Sequence, residues 1–486
     1  MLFNSIDFFI FLPLVFLIYW FPLRNRLKSQ NLFLLIASYV FYGWWDWRFL
    51  SLIIVSSFGD FLIGKLIHKE EKKTTRKLLL ITSLLINLGF LGFFKYYNFF
   101  LESFIDAFTF LGWSFSANRL NIILPVGISF YTFQTLSYTI DIYRKKLEPT
   151  KDIVAFFAFV SFFPQLVAGP IERATNLLPQ FFSKRAFSYS TAADGMRQIL
   201  WGLFKKIVIA DNCAILVNQV FGNHLEYGGG MLLLGSFLFA MQIYCDFSGY
   251  SDIAIGTARL FGFNLMRNFA FPYFSRDIAE FWRRWHISLS TWFRDYLYIP
   301  LGGSNGSSAK RIRNVFIIFV VSGFWHGANW TFIIWGALNA VYFLPLLLTS
   351  RNRVNLEIVA ANKMLPSLKE VLQIAVTFLL TLVAWVFFRA ENVSQALSFL
   401  NLMLIKESIV SVSEIWVFIS SLINQDFSPL LFFFLAMEWI QRTKSHALEG
   451  FFLNTPALRW STYLFVFMAI LLKGVWTEQD FIYFQF

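Results

Sequence analysis

Apolar runs of about the length that crosses a bilayer recur along the chain, at 6–23, 31–47, 49–67, 78–94, 122–142, 153–169, 196–220, 231–255, 315–348, 371–388, 430–441 and 460–474. No other feature constrains the fold as strongly. Hydrophobic residues are 57% of the 486 positions and charged ones 14%, against about 45–50% and about 25% in soluble domains. A water-soluble fold of this size could not cover so much apolar surface, so lipid is the solvent for most of the chain. The expected class is an all-α polytopic membrane protein with roughly 10–12 membrane helices, forming a single unit over 1–486.

The lysines and arginines exceed the acidic residues, for a net charge of +12. In a soluble chain that excess would suggest nucleic acid; here it falls in short clusters between apolar runs, at Arg24–Lys28, Lys65–Lys77, Arg144–Lys151, Lys310–Arg313 and Arg351–Arg353. Cytoplasmic loops retain such residues, and nucleic acid is not an expected partner. The same charge could attract an anionic cytoplasmic donor. Cys213 and Cys245 form no CxxC pair, so neither a disulfide framework nor a zinc site is expected. The first apolar run lacks the basic leader and small-residue cleavage site of a signal peptide and reads as a retained helix. With the N-terminus outside, the basic clusters become cytoplasmic if only one of 99–115 and 122–142 spans. Glu102 and Asp106 make the first an interfacial segment.

Two stretches depart from simple spans. Segment 315–348 would be about 50 Å long as one helix, against an apolar core of about 30 Å. It must break, with Gly323, Gly327 and Gly336 as the available points. Such breaks are tolerated only where the freed backbone is buried in protein or lines a cavity. In 276–313, Trp282, Trp285, Leu289, Trp292, Phe293 and Tyr296 recur at helical spacing, opposite Arg283, Arg284, Ser288, Thr291 and Asp295. The spacing predicts one amphipathic helix at the membrane surface or against the membrane core.

Of the five histidines, His68 and His446 lie beside lysines and read as solvated, and His224 sits in a glycine-rich loop. His326 stands in Ser322–Trp330, inside an apolar run. Ionisable groups at membrane depth are costly and usually functional. It reads either as a general base, its ordinary pKa lying near working pH, or as a structural histidine bonded to a neighbouring helix. His286 lies on the apolar edge of the amphipathic segment. Asp246 and Asp252 are intramembrane carboxylates suited to pairing with arginines or lining a polar funnel. The chain has no H-E-x-x-H, P-loop or G-x-G-x-x-G, and its one G-x-S-x-G spelling, Gly302–Gly306, is a glycine-rich turn followed by a basic run. On residues alone, enzyme and transporter both stand.

Phe163–Arg173, Tyr244–Asp252, Phe281–Ser290, Tyr296–Gly303, Ser322–Trp330, Trp385–Arg389 and Phe481–Phe486, in this order, resemble the membrane-bound O-acyltransferase family, in particular its bacterial alginate O-acetyltransferase branch. The resemblance covers essentially the whole chain, with a core at about 120–345 and a C-terminal helical region at 370–486. It implies a ring of helices around a central funnel, with short interfacial and re-entrant helices. It makes His326 and His286 the catalytic pair, His326 deprotonating an acceptor hydroxyl and His286 positioning a substrate. Asp246, Asp252, Trp325, Asn329 and Arg283 become candidate substrate contacts, and Asn329 could orient the His326 imidazole. The donor would be acetyl-coenzyme A or an acyl carrier thioester, with no bound cofactor. The acceptor would be a polysaccharide hydroxyl or a separate periplasmic acetyltransferase, and the location a bacterial inner membrane. Acetyl is favoured over D-alanyl because the D-alanyl transferases lack the extended C-terminal region. A transporter, or a scaffold that makes no bond itself, is the alternative.

Overall fold

The computed structural model describes residues 1–113, 118–167, 169–404, 412–450, 455–476 and 481–482, and every regular element among them is helical. Among the described residues, five helical runs are long and apolar enough to cross a membrane: Leu27–Lys69, Lys73–Phe110, Gly229–Leu260, Trp330–Leu348 and Leu368–Arg389. Shorter apolar helices include Ile6–Trp20 and Ser428–Ile440. The first of the long runs holds two of the apolar runs, 31–47 and 49–67, as the helices Leu27–Asp46 and Leu50–Lys69. The 153–169 run divides at Phe162 into two short helices. The 196–220 run passes through a π-helical stretch, Phe204–Ala210. Outward faces are apolar, with Leu85 68% and Ile6 76% exposed, as lipid-facing surfaces require. Exposed Trp44, Trp45 and Trp47 cluster where the Leu27–Asp46 helix ends, as interfacial tryptophans do.

The contacts divide the chain into two compact units, Met1–Gly195 with Thr257–Met266 and Met196–Gly256 with Arg267–Phe486. In the first, Lys69 and Lys73 bound the three-residue turn Glu70–Lys72 between helices, inside the Lys65–Lys77 cluster. The Lys73–Leu91 helix continues through a π turn at Gly92–Tyr96 into Tyr97–Phe110. Buried Asp60 accepts Ser83 Oγ at 2.6 Å and Asn87 Nδ2 at 2.8 Å, joining the Leu50–Lys69 and Lys73–Leu91 helices by polar contacts that lipid cannot replace. In the loop after the short helices, Glu172 accepts Asn176 Nδ2 at 2.7 Å and the Met266 N–H. Burial pushes its carboxyl up to about 7.

The second unit holds the long Gly229–Leu260 helix as far as Gly256, and the expected break. The 315–348 segment becomes two helices, Ser308–His326 and Trp330–Leu348. Ser307 Oγ caps the first and Asn329 Oδ1 the second, and side-chain oxygens of these types satisfy the free N–H groups at helix starts. Backbone approaches explain the glycines. A Cβ on Gly323 would lie 2.2 Å from Phe332 O, and one on Gly336 2.4 Å from Phe319 O. We expect Gly336→Val to force the hairpin apart at a cost of about 1–3 kcal/mol, and to lower activity by moving His326. Unfolding in mixed micelles, with Gly89→Val as the control in open space, checks this; equal stability of the two variants contradicts it.

The amphipathic segment is a correction. It is not one helix: Ile278–Arg284 ends, Trp285 is extended, His286 is left-handed at φ 43°, and Ile287–Phe293 resumes. Tertiary pairing outcompetes the helical period. The Ala270 N–H donates to Arg284 O at 3.0 Å and the Ile287 N–H to Asn268 O at 2.9 Å, drawing 284–287 out of the helix. The interruption also buries Ser288, which the periodicity assigns to the polar face.

Candidate active site

His326 is the last residue of the Ser308–His326 helix and is 3% exposed. Extended Gly327 follows it, and a Cβ there would meet the Phe332 ring at 2.1 Å, so only glycine admits the turn that seats the imidazole. The His326 ring lies 5.0 Å from Trp325, 5.2 Å from Trp335 and 5.3 Å from Phe388, between ring centres. His286, fully buried, lies 6.4 Å from it. The fold thus brings together two imidazoles separated by 40 positions in the sequence. Phe247 stands edge-on to His286 at 4.6 Å, and Trp325 is 6.0 Å away, touching both rings. Edge-to-face aromatic contacts of this kind contribute about 0.5–1.5 kcal/mol each beyond burial, and together they hold the two rings in place.

This aromatic box carries polar atoms with nothing to bind. Among the described residues, His286 Nε2 and Trp385 Nε1 are buried without a hydrogen-bond partner. Trp385 stacks on Trp335 at 5.8 Å, one ring removed from His326. Unmade buried hydrogen bonds cost about 1–3 kcal/mol each, so groups of a bound substrate have a reason to be drawn there.

The other expected site residues are distributed differently. Asp246 contacts Lys206 at 2.9 Å and accepts the Ile482 N–H at 2.7 Å. Asp252 contacts Lys205 at 2.5 Å and accepts Gln198 Nε2 at 2.7 Å. Their partners are lysines where arginines were expected, and neither carboxylate is in contact with the histidine pair. Arg283 is exposed and donates to Asn352 O and Asn355 O, at 2.8 and 2.6 Å. Asn329 donates to Glu391 O at 2.7 Å and caps the next helix through Oδ1 at 3.0 Å. Its side chain is therefore engaged away from the His326 imidazole, because the residue after a helix break meets the next helix's free N–H groups first. His446, expected in solvent, is 2% exposed. With Lys205, Asp252, Arg267, Asn268 and Glu438 it lines a narrow cavity of about 10 Å³, room for about one water. Its lysine-rich sequence context gives no sign of this. His224 contacts Ser398 at 3.3 Å, and both cysteines are buried and free.

A sequence profile of the membrane-bound O-acyltransferase family matches residues 145–360. The chain is 42% identical over 394 residues to a probable alginate O-acetylase of Pseudomonas aeruginosa, covering 81% of this chain and 72% of the relative. A probable alginate O-acetylase of Azotobacter vinelandii is 43% identical over 398 residues, 81% of this chain and 76% of its own length. A peptidoglycan O-acetyltransferase of Helicobacter pylori is 37% identical over 431 residues, 82% and 79% of the two chains.

Proposed function

Because this chain belongs to the membrane-bound O-acyltransferase family, we propose that it passes an acetyl group from a cytoplasmic thioester to a hydroxyl outside the membrane. The acceptor is a polysaccharide of the cell envelope or a periplasmic transferase that serves one, and the location is the bacterial inner membrane. The observation that carries the chemistry is the buried pairing of His326 with His286 at 6.4 Å. The relatives' names specify acetyl transfer in relation to alginate and peptidoglycan, which supports a sugar hydroxyl as the acceptor class.

In this reading the His326 imidazole takes the proton of the acceptor hydroxyl as its oxygen attacks the thioester carbonyl. The tetrahedral intermediate collapses with cleavage of the C–S bond, and the imidazolium returns the proton to the departing thiolate. No net proton is consumed. General-base catalysis of this kind supplies about 10²–10⁴-fold. The aromatic walls exclude the water that would hydrolyse the acyl group. His286 and Trp325, both within reach of the same space, position the thioester arm or the acceptor.

Proteoliposomes test it directly. With labelled acetyl-coenzyme A inside and acceptor polysaccharide outside, with and without a candidate soluble transferase, acetylated acceptor should appear together with an equal amount of free thiol inside. Label crossing without release of thiol would identify a transporter and reject the enzyme reading.

A further inference from the structure

We propose that Asn268 is a positioning residue that locks His286 in its Nδ1–H tautomer and leaves Nε2 as a bare hydrogen-bond acceptor inside the aromatic box. The inference rests on the acyl-transfer reading for its consequence, though not for its geometry.

Asn268 Oδ1 lies 3.0 Å from His286 Nδ1, accepts Ser288 Oγ at 2.9 Å and faces the Ser288 backbone N–H at 3.4 Å. Asn268 Nδ2 donates to Ser251 Oγ at 3.2 Å. A backbone N–H can only donate, so the oxygen and not the nitrogen of the amide must face it. That oxygen can only accept from the histidine, which places the proton on Nδ1. The neutral ring then has its lone pair on Nε2, the buried atom with no hydrogen-bond partner among the described residues. Asn268, His286 and Ser288 are all fully buried, so bulk water does not compete for these bonds. The Ile287 N–H to Asn268 O bond fixes the same register through the backbone.

The backbone indicates that this arrangement is imposed. His286 holds φ 43°, a left-handed conformation that costs a non-glycine residue and persists where surrounding structure demands it. The titratable groups near the network are His326 across the box and, around the cavity that Asn268 also lines, Lys205, Tyr244, Asp252, Arg267, Glu438 and His446. Asn268 thus stands between the charged cavity and the acyl site as a neutral amide. The consequence is a division of labour. A bare Nε2 can receive an N–H or O–H of a bound substrate and cannot donate, so His286 selects a donor group on the thioester arm or the acceptor hydroxyl. Fixing a tautomer through a partner is worth up to about 10⁴-fold in enzymes that depend on it.

Nitrogen NMR of 15N-histidine-labelled protein in nanodiscs reads the tautomer without reference to activity, with His286→Ala to assign the signals. The wild type should show a protonated Nδ1 and a bare Nε2 at His286. Asn268→Leu should lose that signature and lower kcat by about 10²-fold or more, with a smaller change in KM. Asn268→Asp keeps the accepting oxygen, so it should keep the tautomer and much of the activity. Its added carboxylate favours the imidazolium, so the acidic limb of the pH profile should move to higher pH. Ser288→Ala, which retains the backbone N–H, should keep the tautomer. A wild-type protein with the proton on Nε2, or an Asn268→Leu protein that keeps the wild-type tautomer, overturns the proposal. Should Asn268→Leu fail to fold, loss of the Nδ1–H signature in Asn268→Asp would do the same. A wild type with the Nδ1–H signature and no acetyl transfer in liposomes would reject the reaction and leave the lock standing.

Discussion

Alanine at position 326 should abolish acetyl transfer while leaving a folded, inserted protein. His326 ends a helix whose hold on its neighbour comes from other residues, chiefly the Gly323 and Gly336 backbone approaches. Removing the imidazole takes one ring from a box still walled by Trp325, Trp335 and Phe388. The stability loss should therefore be that of an ordinary large-to-small change, about 2–5 kcal/mol. The chemical loss is of another kind. Without a base, the acceptor hydroxyl must attack with its proton in place, and transfer should fall by about 10²–10⁴-fold. Rates in proteoliposomes and the melting profile of the purified variant separate the two effects. His326→Gln, which keeps polarity and much of the volume, should fold better and transfer no faster. Undiminished transfer by either variant would remove His326 from the reaction. A scaffold that makes no bond would show that result, with loss of function only when the whole protein is deleted.

Lys206→Met should strongly destabilise the second unit. The Lys206 ammonium is 2% exposed and lies 2.8 Å from Asp211 and 2.9 Å from Asp246, themselves 4% and 3% exposed. One cation thus stands between two buried carboxylates. Methionine fills much the same space and leaves both anions facing each other without compensation, which costs about 3–5 kcal/mol in buried pairs that lose one partner. The carboxylates would have to take up protons or admit water. Unfolding in mixed micelles reads the loss. Neutralising both acids at once, in Lys206→Met with Asp211→Asn and Asp246→Asn, should recover much of it, because well-packed neutral groups substitute for buried ion networks at little cost. Asparagine at 246 also retains an oxygen for the Ile482 N–H. A triple variant no more stable than Lys206→Met would show that the network acts by geometry and not by charge compensation.

Much of this was legible in the residues because the physics is local. A largely apolar run of 34 positions cannot cross a bilayer unbroken, so the break in 315–348 followed from length, and Gly327 was among the three places it could fall. The charge clusters marked turns such as the one between Lys69 and Lys73. His326 was visible as an ionisable ring within an apolar run.

What escaped depended on contacts between distant segments. The helical spacing through Trp282 to Tyr296 was real, yet two backbone hydrogen bonds to 268–270 outweighed it, and periodicity carries no information about a partner 14 to 19 positions away. His446 looked solvated beside Lys444 and is buried against a charged cavity. Asn268, an unremarked amide in the sequence, holds the ring that faces His326. The residues by themselves determined that this chain lives in lipid, where it must break, and which histidine is too costly to be idle. Only the tertiary structure decided which ring stands opposite that histidine and which amide oxygen meets that ring, because distances are properties of neighbours in space.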